Sequence, residues 1–114
     1  FGVLPGKASV VGEELVASPV VRKVTFTGST EVGRALMAKA APTIKKLSLE
    51  LGGNAPVLVF DDADLPTAIA GTLASKFRNM GQTCVCANRI YVQDGIYDRF
   101  VAALSEAVGR LRVG

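Results

Sequence analysis

Short apolar and β-branched runs alternate with helical patterns along all 114 residues of this chain. Proline and glycine separate the segments, at Pro5-Gly6, Pro19, Pro42 and Gly52-Gly53. Strands that alternate with helices favour βαβ units, in which the strands pair in parallel and the crossovers are right-handed. The alternation therefore predicts an α/β fold built on parallel sheets.

The pattern predicts a β-α-β-α-β unit followed by a β-α-β-α unit. In the first unit, strands are predicted at 1–4, 20–27 and 44–51, and helices at 10–17 and 31–41. In the second unit, strands are predicted at 57–60 and 89–93, and helices at 66–79 and 97–111. The unbroken apolar run 57–60 is typical of a strand that is buried on both faces. The Gly52-Gly53 break then separates residues 1–51 from residues 52–114.

Composition and charge exclude several classes of protein. Hydrophobic residues make up 49% of the chain and charged residues 20%, which excludes disorder. The net charge of +3 is spread along the chain without interleaved aromatic residues, so we expect no nucleic-acid partner. No run approaches the roughly 18 apolar residues of a membrane helix, and no signal-peptide pattern is present. We therefore expect a cytoplasmic protein with no membrane partner.

The chain has two cysteines, Cys84 and Cys86, and no histidine. This set is too small for a secreted disulfide framework or a zinc site. Cys84 lies in a polar turn, where a substrate can approach and backbone N–H groups can stabilise a thiolate. The alternative is a small buried hydrophobic residue. Cys86 lies nearer the next strand and is predicted to pack inward, and a bridge between the two sulfurs would be strained and easily reduced.

Without histidine, a general base must be another titratable side chain or a water molecule. Glu50 stands between leucines at the end of a predicted strand. Partial desolvation there would raise the pKa of the carboxyl group towards the range of a general base. The alternative is a solvent-facing glutamate on an alternating strand. A thiol nucleophile and a carboxylate base in one chain allow two-step covalent chemistry.

Residues 28–33 join a predicted buried strand to the start of a helix, where unpaired N–H groups stabilise phosphate. The candidate contacts are Gly28, Ser29, Thr30, Glu31, Val32 and Gly33. Gly28 allows close approach of a ligand, and Gly33 removes a side chain that would block it. The alternative is an ordinary serine or threonine cap with Glu31 near its third position, since a full G-x-G-x-x-G is absent.

Arg78 ends the helix that leads to Cys84. Its guanidinium can bind a substrate carboxylate through two parallel hydrogen bonds. The alternative is a cation that interacts with the helix dipole.

Three segments in this order, 26–33, 49–53 and 81–84, resemble the aldehyde dehydrogenase superfamily, and the resemblance covers the whole chain. The run Phe-Arg-Asn-Met-Gly-Gln-Thr-Cys-Val-Cys-Ala-Asn-Arg at 77–89 looks like that of succinate-semialdehyde dehydrogenases. The resemblance implies that Cys84 is the nucleophile and that Glu50 activates the hydrolytic water. It also implies that NAD or NADP lies along residues 28–33 and Leu51. Arg78 would hold the distal carboxylate of succinic semialdehyde, and Cys86 would be a redox partner of Cys84.

The resemblance further implies an internal fragment of an aldehyde-oxidising enzyme. Residues 1–51 would be the C-terminal part of a Rossmann-like NAD(P)-binding domain, and residues 52–114 the N-terminal part of a catalytic domain. The family's upstream asparagine and lysine and its downstream Glu-Phe motif are missing, so we expect the isolated fragment to be inactive. We expect the full-length parent to be a homo-oligomer.

Three alternatives remain open from the sequence. The chain could be a thiol redox or sensing module that uses Cys84 and Cys86. It could be a nucleotide-binding module without chemistry, in which Cys84 is inert. It could also belong to another semialdehyde dehydrogenase of the same superfamily.

Overall fold

A computed structural model of the chain describes residues 1–113. The chain divides into two compact units, Phe1–Gly52 and Gly53–Gly114. Gly114, the last residue of the predicted second domain, lies outside the described residues. Each unit contains one two-stranded parallel sheet with helices, so the prediction of an α/β fold with parallel strands is confirmed.

The first unit contains helix α1, strand β1, helix α2 and strand β2. Their bounds are Ala8–Ala17 for α1, Lys23–Thr27 for β1, Thr30–Ala40 for α2 and Lys46–Glu50 for β2, with a 3-10 turn at Ala41–Thr43. The two strands pair in parallel, with Val24 beside Leu47 and Phe26 beside Leu49. The pairing continues one residue beyond the C-terminal end of β1, because the Gly28 N–H donates to the carbonyl of Glu50 at 3.0 Å.

The strand predicted at residues 1–4 is wrong. This segment has no strand conformation, and Phe1, Val3 and Leu4 are exposed. A strand needs a neighbour for its N–H and C=O groups, and within the described part of this unit the sheet holds only β1 and β2.

The start of β2 also differs from the prediction, which placed it at residue 44. Ile44 ends the 3-10 turn with φ 50°, in the left-handed region. Extended strand backbone has negative φ, so pairing begins only at Lys46.

The second unit contains β3 (Ala55–Val59), α3 (Leu65–Phe77), β4 (Ala87–Val92) and α4 (Asp94–Gly109). A 3-10 segment, Arg78–Gly81, follows α3. Asp64 caps α3, accepting a hydrogen bond from the Thr67 N–H at 3.1 Å. Helix α4 begins at Asp94, earlier than the predicted residue 97.

The core of the second unit lies between one face of the sheet and both of its helices. It is formed by Val59, Ile69, Ile96 and Phe100. The prediction that residues 57–60 are buried on both faces is wrong, because Leu58 is 60% exposed. Alternate side chains of a strand point to opposite faces, and α3 and α4 pack on the Val57 and Val59 side only.

No helix among residues 1–113 has both the length and the apolar character needed to cross a membrane.

Replacing Phe100 by alanine should lower the free energy of unfolding by about 3 to 5 kcal/mol, because its ring is 1% exposed and fills the centre of the second unit. Urea unfolding of the chain, followed by circular dichroism, measures this loss. Tyr97→Ala is the matched control: it removes a 49% exposed ring from the same helix, and the expected change is within about 0.5 kcal/mol. Equal losses in the two variants would contradict this core.

Candidate functional site

Cys84 occupies the tip of a tight turn that precedes β4. The Cys86 N–H donates to the Thr83 carbonyl at 3.2 Å, which makes Cys84 and Val85 the two central residues. We call residues 83–86 the cysteine turn. Cys84 is exposed, Cys86 is 1% exposed, and both thiols are free. The predicted inward packing of Cys86 is confirmed.

The buried thiol is held by its own neighbours. The Thr83 hydroxyl lies 2.7 Å from the Cys86 sulfur, and the Cys86 thiol points at the Arg78 carbonyl at 3.7 Å. These contacts satisfy the polar groups of the buried side of the turn. The same turn therefore presents one sulfur to solvent and anchors the other.

A left-handed segment leads the chain from α3 into the cysteine turn. Asn79, Met80 and Gly81 have φ values of 49°, 57° and 79°. The Asn79 carbonyl accepts from the Gln82 N–H at 3.0 Å, and its side-chain amide donates to the Gln82 carbonyl at 3.3 Å. Left-handed backbone is disfavoured for residues other than glycine and persists only where other interactions hold it. Here the two hydrogen bonds between Asn79 and Gln82 hold the segment in place. Asparagine tolerates this region, but nothing in the sequence signals it for Met80.

Gly53 lies against the cysteine turn, although the sequence pattern predicted only a break between two units at this residue. A Cβ atom at Gly53 would overlap the carbonyl oxygen of Cys84, so only glycine fits this contact. The next residue is held by Arg89, whose Nε and Nη2 donate to the Asn54 carbonyl at 3.2 and 2.9 Å. The paired glycines were the one signal of a close approach at this point.

Glu50 ends β2 with its side chain exposed. The partial desolvation predicted for it is wrong within the first unit. Leu49 and Leu51 flank it in sequence, but alternate strand residues face opposite sides, so the leucines do not enclose the carboxylate. Its backbone carbonyl accepts from Gly28, which brings the end of β2 beside residues 28–33.

Residues 28–33 form the entry to α2. The Ser29 hydroxyl accepts from the Val32 N–H at 3.3 Å, so Ser29 is the N-cap. The N–H groups of Thr30 and Glu31 belong to the first turn, which has no intrahelical acceptors for them. They are available to an anion, while the Glu31 carboxylate in the same turn disfavours one.

Gly33 does not have the role predicted for it. It is buried, and a Cβ atom there would lie 2.6 Å from Cδ2 of Leu51. The glycine makes room for the Leu51 side chain instead of clearing a path for a ligand. Gly28 is similarly crowded, because a Cβ atom would overlap the ring of Phe26.

A groove of about 570 Å³ lies beside this helix entry, between α1, α2 and β1. Its lining includes Val11, Leu15, Phe26, Val32 and Leu36. The volume is within the usual range of ligand pockets, and the lining is mainly apolar. The first unit thus combines free helix N–H groups with an apolar groove that Val32 borders.

Arg78 directly follows α3 with its side chain exposed, and its guanidinium forms no ion pair among the described residues. The structure thus places Arg78, Cys84 and Cys86 in the second unit. It places Glu50, Leu51 and residues 28–33 in the first. The described residues contain no cluster of three or more potential metal ligands.

Comparisons with known proteins cover the whole chain. The sequence model of the aldehyde dehydrogenase family matches residues 1–114. The mitochondrial succinate-semialdehyde dehydrogenase of Arabidopsis thaliana is 69% identical over 100% of this chain and 22% of its own length. A glutarate-semialdehyde dehydrogenase of Pseudomonas aeruginosa is 65% identical over 100% of this chain and 24% of its own length. The chain thus spans about a quarter of these curated relatives.

A solved structure agrees with the fold of this chain. The crystal structure of an Escherichia coli NADP-dependent enzyme superposes with a TM-score of 0.94 at 64% identity, over 98% of this chain and 23% of that one.

Iodoacetamide should alkylate Cys84 in the native chain and reach Cys86 only after denaturation, because Cys86 is buried and hydrogen-bonded. Peptide mapping by mass spectrometry at increasing times measures both rates. In the Cys84→Ser control, native protein should remain unlabelled. Equal labelling of the two cysteines in native protein would contradict the turn geometry.

Proposed function

Because the chain belongs to the aldehyde dehydrogenase family, we propose that it is part of an enzyme that oxidises an aldehyde with NAD or NADP. The observation that carries the proposal is the exposed Cys84 at the tip of a turn whose other cysteine is buried. A nucleophile must be accessible, and the Cys84 thiol is exposed. The hydrogen bond that closes the cysteine turn also restricts the backbone that carries it, which supports the proposal.

Cys84 begins the reaction as a thiolate. Its sulfur attacks the aldehyde carbon and forms a C–S bond, and the carbonyl oxygen becomes an oxyanion. The Cys84 N–H makes no hydrogen bond among the described residues and is free to stabilise this charge. The oxyanion then re-forms the carbonyl as hydride leaves, which yields a thioester on Cys84. When bound, NAD or NADP supplies the acceptor for that hydride.

Glu50 completes the reaction as a general base. Its exposed carboxylate takes a proton from water, which attacks the thioester carbon and displaces the Cys84 sulfur. The products are a carboxylic acid and the free thiol. The glutamate's exposure leaves room for the water that this step consumes.

We propose that the dinucleotide binds in the first unit. The free N–H groups of Thr30 and Glu31 and the Ser29 hydroxyl suit a phosphate, and the adjacent apolar groove suits a flat base. Leu51 packs on Gly33 and so supports this helix entry from below. Both NAD and NADP carry these groups.

For the substrate, we propose a semialdehyde with a distal carboxylate, and among these we favour succinic semialdehyde. Arg78 supports this proposal, because its exposed guanidinium has no ion-pair partner among the described residues and suits two parallel bonds to a carboxylate. The two relatives described above are named for succinate semialdehyde and glutarate semialdehyde, which both carry such a group.

We extend the proposal to the architecture of the parent enzyme. Residues 1–51 belong to its cofactor domain and residues 52–114 to its catalytic domain. Because the chain spans about a quarter of the length of its curated relatives, we expect the isolated chain to lack turnover. The parent is a homo-oligomer. Its cytoplasmic location stays a prediction, since the Arabidopsis thaliana relative is named as mitochondrial.

A second candidate function is redox control through a Cys84–Cys86 bridge. Both thiols are free and lie two residues apart, which supports this candidate, and a bridge would require the turn to rearrange because Cys84 is exposed and Cys86 is buried.

In the full-length enzyme, Cys84→Ser should lower kcat/KM for aldehyde oxidation by about 10³-fold or more, because a hydroxyl is far less ionised than a thiol. Glu50→Gln should retain a first-turnover burst of about one equivalent of reduced cofactor and lose steady turnover, because the thioester persists. Stopped-flow absorbance at the reduced-cofactor band measures both. Cys86→Ser under reducing conditions is the control, with oxidation retained. Normal turnover in Cys84→Ser would refute the nucleophile.

Arg78→Ala should raise KM for succinic and glutaric semialdehydes by about 10- to 150-fold. This factor corresponds to the loss of about 1.5 to 3 kcal/mol of binding free energy, the usual contribution of a hydrogen bond to a charged group. KM for uncharged butanal should change little, because that aldehyde offers no carboxylate. Steady-state rates with the three aldehydes measure the difference, and Arg99→Ala, an exposed arginine of α4, is the control. An equal rise for all three substrates would remove Arg78 from the substrate site.

A further inference from the structure

Arg89 binds a backbone carbonyl at the start of β3. Its Nε and Nη2 both donate to the Asn54 oxygen, at 3.2 and 2.9 Å. The sheet is irregular here: Ala55 pairs with Ala87, but Pro56 pairs with Arg89, so Asn88 has no partner. Pro56 also has no N–H to donate. The arginine side chain therefore supplies hydrogen bonds at the point where the ladder between the strands is irregular.

The residue before Asn54 touches the cysteine turn. A Cβ atom at Gly53 would overlap the Cys84 carbonyl oxygen, so the Gly53 backbone lies directly against that oxygen. The direction of this carbonyl sets the plane of the peptide between Cys84 and Val85. The hydrogen bond from Cys86 to Thr83 closes the turn from its other side. Together these contacts limit the backbone rotation of Cys84 and hence the direction of its Cα–Cβ bond, from which the sulfur projects.

We propose that Arg89 is a positioning residue for Cys84, acting through Asn54 and Gly53. By holding the Asn54 carbonyl, it keeps Gly53 against the Cys84 carbonyl and so fixes the orientation of the thiol. This inference rests on the proposed role of Cys84 as the nucleophile. Arg89 itself does not need to contact the substrate.

The contact depends on the shape of the guanidinium. Arg89 is exposed and forms no ion pair among residues 1–113, so its visible role is donation to one oxygen from two nitrogens. Lysine keeps the positive charge but donates from a single, flexible ammonium group. Arg89→Lys should therefore recover only part of what Arg89→Gln loses.

The test uses the full-length enzyme and two readouts. Arg89→Gln should lower kcat by up to about 10²-fold with little change in KM for the aldehyde, the effect of a misplaced reacting group. It should also slow iodoacetamide alkylation of Cys84 in the absence of aldehyde and cofactor, because the turn no longer holds this residue in its exposed position at the tip. Arg89→Lys should fall between Arg89→Gln and the unaltered enzyme in both readouts. Arg99→Gln, which removes an exposed arginine from α4, should leave both unchanged.

A double-mutant cycle separates positioning from general destabilisation. Gly53→Ala should impair both readouts, whereas Gly52→Ala should not, since the nearest atom to its Cβ is the Thr30 hydroxyl oxygen at 3.7 Å. If Arg89 acts through Gly53, the Gly53→Ala/Arg89→Gln double variant should be little worse than the more impaired single variant. Multiplied losses would overturn the proposal.

The outcomes also separate this inference from the proposed function. Unaltered alkylation and kcat in Arg89→Gln would overturn the role of Arg89, even with aldehyde oxidation intact. A second outcome is that Arg89→Gln and Gly53→Ala slow the alkylation of Cys84 without multiplying in the double variant, while Cys84→Ser still oxidises the aldehyde. That outcome would support the role of Arg89 and refute the proposed function. If Gly53→Ala does not fold, the alkylation rates of the Arg89 variants decide. Alkylation slowest in Arg89→Gln and intermediate in Arg89→Lys would support the proposal, and rates equal to that of the unaltered enzyme would overturn it.

Discussion

Parallel pairing of two strands in each unit is the constraint on which the candidate sites depend. Parallel strands place equivalent ends at the same edge of a sheet. In the first unit, β1 and β2 end together, which brings residues 28–33 beside Glu50 through the hydrogen bond from the Gly28 N–H to the Glu50 carbonyl. In the second unit, β3 and β4 begin together, which brings Gly53 and Asn54 against the cysteine turn and Arg89.

The second unit distinguishes two cysteines that are chemically alike and only two positions apart. The turn buries Cys86 between the Thr83 hydroxyl and the Arg78 carbonyl and leaves Cys84 at the tip. The three left-handed residues before the turn are conformationally disfavoured, and the hydrogen bonds between Asn79 and Gln82 hold this segment in place. Such strain is common where a reactive group must have one orientation, which agrees with the proposed chemistry of Cys84.

Local patterns predicted most of the elements, because helical and strand periodicity act within a few residues. The periodicity located α1, α2, α3 and α4 and the four strands of the two sheets, with shifts at their ends. It failed where an element depends on a distant partner or a single dihedral angle. The apolar run at 1–4 has no neighbouring strand, and Ile44 adopts a left-handed conformation that no residue pattern announces. Leu58 is exposed because only one face of its sheet is covered by helices.

By itself, the sequence determined the α/β class, the position of Cys84 in a turn and the residue types available for chemistry, since these follow from local periodicity and composition. Only the tertiary structure decided the roles of the glycines and the surroundings of the carboxylate. Gly33 accommodates Leu51, Gly53 accommodates the Cys84 carbonyl, and Glu50 is exposed although leucines flank it. The same holds for Arg89, which reaches the Asn54 carbonyl 35 residues away in sequence. Such contacts arise only when strand pairing brings distant segments together, so no local pattern encodes them.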